Sequence, residues 1–162
     1  MRFNVAFKSI NKSVIINSLI CGTLAPFFVQ TCQALEYRSV AITKAVLVDA
    51  PSANANKLYI VSLGYPVEVI VNLGDWLKVR DSQGGLNWIE TKVLATKRTV
   101  LVTVDHAEIK QSTAASSGLV ANVDKDVVLD LLEVNAKNGW LKVHNRDGIT
   151  GYILITSVWG AN

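Results

Sequence analysis

Apolar and polar positions alternate from Trp76 to Arg80, with Leu77 and Val79 against Lys78 and Arg80. That period of two predicts a strand with one buried and one wet face. A polar turn, Asp81 to Gly85, follows, and the chain resumes with an aromatic and an isoleucine at Trp88-Ile89. The segment Trp76–Ile89 reads WLKVRDSQGGLNWI and returns as WLKVHNRDGITGYI over Trp140–Ile153, at a constant offset of 64. Six of the 14 positions are identical, against roughly one expected from average composition, which marks a duplicated unit. Each copy predicts a β-hairpin, whose turn needs glycine because its backbone takes φ > 0. A lone hairpin cannot bury its apolar face, so further strands must close around each copy.

Those strands are readable on either side. Ala41–Val48 is an apolar β-forming run that Pro51 ends, since proline donates nothing to a ladder. Lys57–Val61 and Val67–Val71 predict a second and third strand before the Trp76 hairpin. In the second half, Val100–Val104, Gly118–Ala121 and Val127–Leu132 repeat the pattern, and Lys137-Asn138-Gly139 is a turn. Aligning Val67 with Val128 gives an offset of 61, hence a hairpin three residues longer before the second Trp. Single helical turns are expected at Thr91–Val93 and Thr156–Val158, and no long helix is expected. Residues 96–99 contain no Gly, Pro or Ser, so the two halves are expected in contact.

A Trp-Leu-Lys-Val strand, a short turn and a Gly/Asn-Trp/Tyr-Ile strand resemble the central hairpin of Src homology 3 domains in their bacterial, envelope-associated form. Two copies in register cover nearly the whole chain after residue 38. The resemblance implies an all-β fold of two tandem small Src homology 3-like barrels of about five strands each, at residues 39–97 and 98–162. It implies a binding module, not catalysis. In this family the Asp49–Ser52 region falls in the long loop after the first strand. It lacks the acidic and aromatic residues with which eukaryotic relatives take proline-rich peptides.

Residues 1–34 change the picture of charge and compartment. Arg2, Lys8 and Lys12 precede an apolar run from Val14 to Phe28, and Cys32-Gln33-Ala34 offers small residues for cleavage. Asn17, Thr23 and Pro26 interrupt a run already short of the ~20 residues that span a bilayer. An export signal is therefore expected, with a mature protein in the periplasm or secreted and no stable membrane insertion. Of 16 Lys and Arg, 3 lie in this leader, leaving 13 against 13 acidic residues and a mature net charge of zero. No basic surface is left for nucleic acid. Cys21 and Cys32 leave with the leader, and disulfides and thiol nucleophiles with them.

Candidate chemistry is sparse. His106 and Glu108 would share a strand face with no third ligand at zinc-type spacing, and His144 matches the outward Arg80. No Gly-x-Ser-x-Gly elbow and no phosphate-cradling loop occur. No cofactor or metal is expected, and the protein is read as no enzyme; a cell-wall hydrolase is the least favoured alternative. The aromatics remain. Parity puts Trp76 and Trp140 on the face of Lys78 and Lys142, half exposed, while Trp88 is expected in the core. Trp76, Trp140, Tyr59 and Tyr65 are the candidate ligand-binding residues. The expected partner is cell-wall peptide or glycan, or an envelope protein; the alternative is a structural or assembly role through exposed strand edges.

Overall fold

The computed structural model describes residues 35–161; the export-signal expectation and both cysteines lie outside the described residues. Seven strands form the first sheet: β1 (Glu36–Val40), β2 (Lys44–Val48), β3 (Lys57–Ser62), β4 (Pro66–Asn72), β5 (Trp76–Arg80), β6 (Leu86–Glu90) and β7 (Leu94–Ala95). Seven more form the second: β8 (Thr99–Val102), β9 (His106–Lys110), β10 (Leu119–Asp124), β11 (Val128–Leu131), β12 (Trp140–His144), β13 (Thr150–Leu154) and β14 (Val158–Trp159). The order β3-β2-β6-β5-β4-β1-β7 recurs as β10-β9-β13-β12-β11-β8-β14, so the duplication seen in fourteen residues extends through both sheets. All strand pairings among the described residues are antiparallel, and each sheet keeps two edges instead of closing. The only helical turns among the described residues are 3-10, at Thr91–Val93 and Ile155–Ser157.

Each sheet wraps a small core. Val40, Leu47, Val67, Leu77, Val79 and Ile89 fill the first. Val100, Ile109, Leu129, Leu141, Val143 and Ile153 fill the second. Leu77, Val79, Leu141 and Val143 are wholly buried, as the alternation requires. The hairpin turns are built alike. Asp81 Oδ1 accepts from the Gln83 and Gly85 amides (3.0 and 2.8 Å), and Asn145 Oδ1 from the Asp147 and Ile149 amides (3.0 and 2.8 Å). A side chain that bonds its own following backbone is what Asp and Asn contribute to turns. Gly84 and Gly148 both sit at φ 87°, the conformation that required glycine. Asn138 and Gly139 lie at φ 54° and 81°, and Lys137 and Trp140 exchange both backbone hydrogen bonds, which makes a tight two-residue turn.

Three expectations need correcting. Ala41–Val48 is not one strand: Ala41 donates to the Val93 carbonyl (2.8 Å), the chain bends, and β2 starts at Lys44. Strands β1 and β7 in the first sheet, and β9 and β14 in the second, come in addition to the five expected in each, giving seven strand segments per sheet. The alignment of Val67 with Val128 is off by one. Val67 and Leu129 are both wholly buried and hold matching places beside β1 and β8, an offset of 62. The second hairpin is therefore two residues longer, not three. Finally, β6 buries Asn87 and Ile89 and turns Trp88 outward.

The two sheets touch, as the short junction led us to expect. Thr99 Oγ1 donates to the Gly64 carbonyl (2.6 Å) and Arg146 to the Leu63 carbonyl (2.8 Å), while Ser39 Oγ ties the junction to the first sheet through the Lys97 carbonyl (2.6 Å). The Tyr37 and Trp159 rings meet edge to face at 5.4 Å. The Arg98 guanidinium lies 5.1 Å over the Tyr37 ring and donates to the Gly160 carbonyl (2.9 Å). These contacts give each sheet a reason to hold the other in place.

Candidate ligand-binding site

Parity fixes where the candidate aromatics go. Because Leu77 and Val79 face the core, Trp76 projects to the outer face of β5 with Lys78. On the adjoining strands that face carries Val46 and Val48 of β2 and Trp88 and Glu90 of β6. Lys78 Nζ sits 5.9 Å over the Trp88 ring. Trp76 is half-buried and forms one wall of a groove of about 270 Å³; Val46, Val48 and Ala53 supply apolar surface, and Lys44 and Glu90 charged ends. A flat aromatic beside apolar residues, two lysines (Lys44 and Lys57) and one carboxylate (Glu90) suits a ligand with both apolar and polar parts.

Trp140 departs from the symmetric expectation. It is 7% exposed, not half exposed. The position of Val48 in the first sheet is taken in the second by Lys110, whose Nζ stands 5.9 Å over the Trp140 ring and donates to the Ala115 carbonyl (2.7 Å). A lysine stem pinned to the loop after β9 covers the indole that Val48 leaves open.

Tyr59 and Tyr65 do not join Trp76. They line a second groove of about 370 Å³, between β3 and the Asp81–Gly85 turn. Tyr59 is 60% exposed, and the Tyr65 hydroxyl shares a 2.8 Å hydrogen bond with Ser82 Oγ. The four candidates thus divide into one indole on the outer face, one buried indole, and a tyrosine pair elsewhere. Asn87 was missed by sequence reasoning. It is 5% exposed, a polar residue at a core parity of β6, and its amide donates to Asp81 Oδ2 (3.1 Å). A polar residue breaking strict alternation was the available clue.

The titratable groups offer little chemistry. His106 Nδ1 lies 3.0 Å from Asp124 with both side chains largely exposed, and His144 Nδ1 bonds Thr150 Oγ1 (2.9 Å). Among the described residues no group of three or more His, Cys, Asp or Glu is placed to hold a metal. Hydrogen bonding and charge from Lys137 hold the exposed Glu133 carboxyl below its usual range. That shift belongs to a surface ion pair (2.8 Å) and marks no reaction site.

Residues 42–95 match the family profile of the bacterial SH3 domain, a span that takes in the first sheet without β1. No curated protein matches the chain in sequence. Among solved structures it is similar to NlpC2 from Trichomonas vaginalis at 18% identity and TM-score 0.35, covering 78% of this chain and 48% of that one. It is similar to NlpC1 from the same organism at 17% and TM-score 0.36, covering 79% and 46%. An NlpC/P60 family protein from Bacillus cereus ATCC 10987 gives 20% and TM-score 0.34, covering 77% and 57%. The chain spans about half the length of these proteins, and likeness at this level carries no activity across. The family match falls on the first of the two hairpins and sheets that the repeat picked out, and it identifies residues 42–95 as a bacterial SH3 domain.

Proposed function

We propose that the chain is a non-catalytic binding module of the bacterial cell envelope, exported through residues 1–34, which takes cell-wall peptide or glycan or an envelope protein at the Trp76 groove. The observation that carries the reading is the half-buried Trp76 indole, set in a mixed apolar and charged groove on the first sheet. The domain match at residues 42–95 supports it, because the groove lies wholly within that span. No helix among the described residues is long and apolar enough to cross a membrane.

Co-sedimentation with purified wall sacculi tests the reading. Trp76→Ala is expected to weaken binding by about 2 kcal/mol or more, the scale of an interface hot spot. The folded fraction should stay close to wild type, since the indole is only half-buried. Undiminished sedimentation of the folded variant would remove Trp76 from the site. N-terminal sequencing of the exported protein is expected to begin near Leu35; an intact Met1 in a cytosolic fraction would sink the export assignment.

A second reading, a structural or assembly subunit, draws on one observation. The edge strand β3 exposes Leu58 and Ile60 (44% and 68%) beside an unpaired backbone edge. Such an edge is open to strand addition by a partner. Loss of partner capture in Ile60→Lys, with sacculus binding intact, is the result that would favour it.

A further inference from the structure

The groove between β3 and the Asp81–Gly85 turn exists in a molecule that repeats its own fold, and the comparison between copies is informative. Leu47 pairs with Tyr59 across the first hairpin, and Ile109 with Ala121 across the second. Tyr59 thus answers to Ala121. By the offset of 62 that holds before the Trp hairpin, Tyr65 answers to Val127, and by the offset of 64 within it Gly85 answers to Ile149 and Asn87 to Gly151. In the second copy Val127 and Ile149 pack against the core. Small or aliphatic residues fill there what the first copy leaves open and lines with aromatic and amide groups. Gly85 keeps it open: a Cβ would lie 2.5 Å from Asp81 Oδ2.

The lining specifies a ligand. Leu47 and Val61 give an apolar floor, and Tyr59 an exposed ring at the rim. Asn87, though 5% exposed, uses only its amide NH2, toward Asp81; its carbonyl takes no hydrogen bond from the described residues, nor does the Gln83 side chain make one. That oxygen is not closed off from solvent, so it is open to a donor that enters the groove. No lysine or arginine lines the groove, so phosphates and carboxylates meet no cation. Asp81 is no open counter-charge for an amine either, since its two oxygens already accept three N–H groups. What fits is neutral, with hydroxyls or amides at its edge and an apolar face.

We infer that this groove binds an N-acetylated sugar unit of a glycan, with the sugar face on Tyr59, the acetamido methyl over Leu47 and Val61, and the acetamido NH toward the Asn87 carbonyl. The inference rests on the wall-binding reading for its biological source, and it adds a glycan site separate from the Trp76 groove. Its 370 Å³ lies in the range of small-ligand pockets.

A soluble trimer of N-acetylglucosamine, titrated into the 15N-labelled exported protein, tests it. Saturable shifts of the Asn87 and Gln83 side-chain amides are expected. Tyr59→Ala copies the second sheet's residue at an exposed position and should keep the wild-type melting curve while binding about 30-fold more weakly. Equal affinity for a glucose trimer would overturn the acetamido assignment. So would an alanine–glycine peptide that shifts the same amides while the sugar does not. Wild-type protein that sediments with sacculi yet shows no trimer shifts overturns this groove alone. Protein that binds the trimer but ignores sacculi supports the groove and sinks the wall reading.

Discussion

Trp140→Ala is expected to cost about 3–5 kcal/mol of stability, the range for truncating a buried aromatic. The residue is 7% exposed, it opens β12, and its ring carries Lys110 at 5.9 Å. Removing it leaves a cavity under the lysine stem and frees the loop that Lys110 holds through the Ala115 carbonyl. Trp76→Ala, at the equivalent place in the other copy, should lose distinctly less because its indole is half-buried. Urea titrations of the two variants make the comparison direct. Equal losses would mean that Lys110 does not distinguish the two indoles. The asymmetry matters because sequence identity alone assigns both tryptophans the same role.

Tyr37→Ala is the second large effect, again about 3–5 kcal/mol from a residue 8% exposed. Its ring meets Trp159 at 5.4 Å and lies under the Arg98 guanidinium at 5.1 Å, so its loss should uncouple the sheets as well as weaken the first. A single calorimetric transition in the wild type is expected to become two in the variant. One sharp transition at lower temperature would place the coupling elsewhere, in the Thr99 and Arg146 hydrogen bonds. The same residue predicts the response to alkali. Burial, and then the nearby Glu68 carboxylate, raise the Tyr37 phenol above its ordinary value of 10.0. The fold favours the neutral phenol, so its contribution is fully present below pH 10.0 and falls away as pH rises through the higher folded value. Tyr37→Phe should flatten that loss.

Much of the architecture was legible because its determinants are local. Leu77 and Val79 alternate with polar residues, and the glycines at Gly84 and Gly148 mark turns that only a positive φ can close. The strand β1 was not legible. Its EYRSV sequence is half polar, and Tyr37 is buried partly by Trp159 of the other sheet and Ser39 bonded to the junction at Lys97, which no local pattern records. Trp88 misled for a related reason: Asn87 occupies the core parity, satisfied by Asp81, and pushes the aromatic outward. The one-residue slip between Val67 and Val128 arose because several apolar neighbours fit the pattern equally, and only pairing with β1 and β8 selects Leu129. For the candidate site, the parity of Trp76 was readable from its strand. The cover over Trp140 was not, since it comes from Lys110, thirty residues earlier.

The meeting of Tyr37 and Trp159 also governs reach. Tyr37 lies two residues from the first described residue and Trp159 two from the last, yet their rings are 5.4 Å apart. The folded part is therefore a closed loop of chain, with entrance and exit side by side. Whatever is joined upstream and whatever is joined downstream leave from one place. Two barrels strung end to end would act as a spacer; this pair adds almost no distance between an anchor and a cargo. The separation of such attachments is set by the flanking segments.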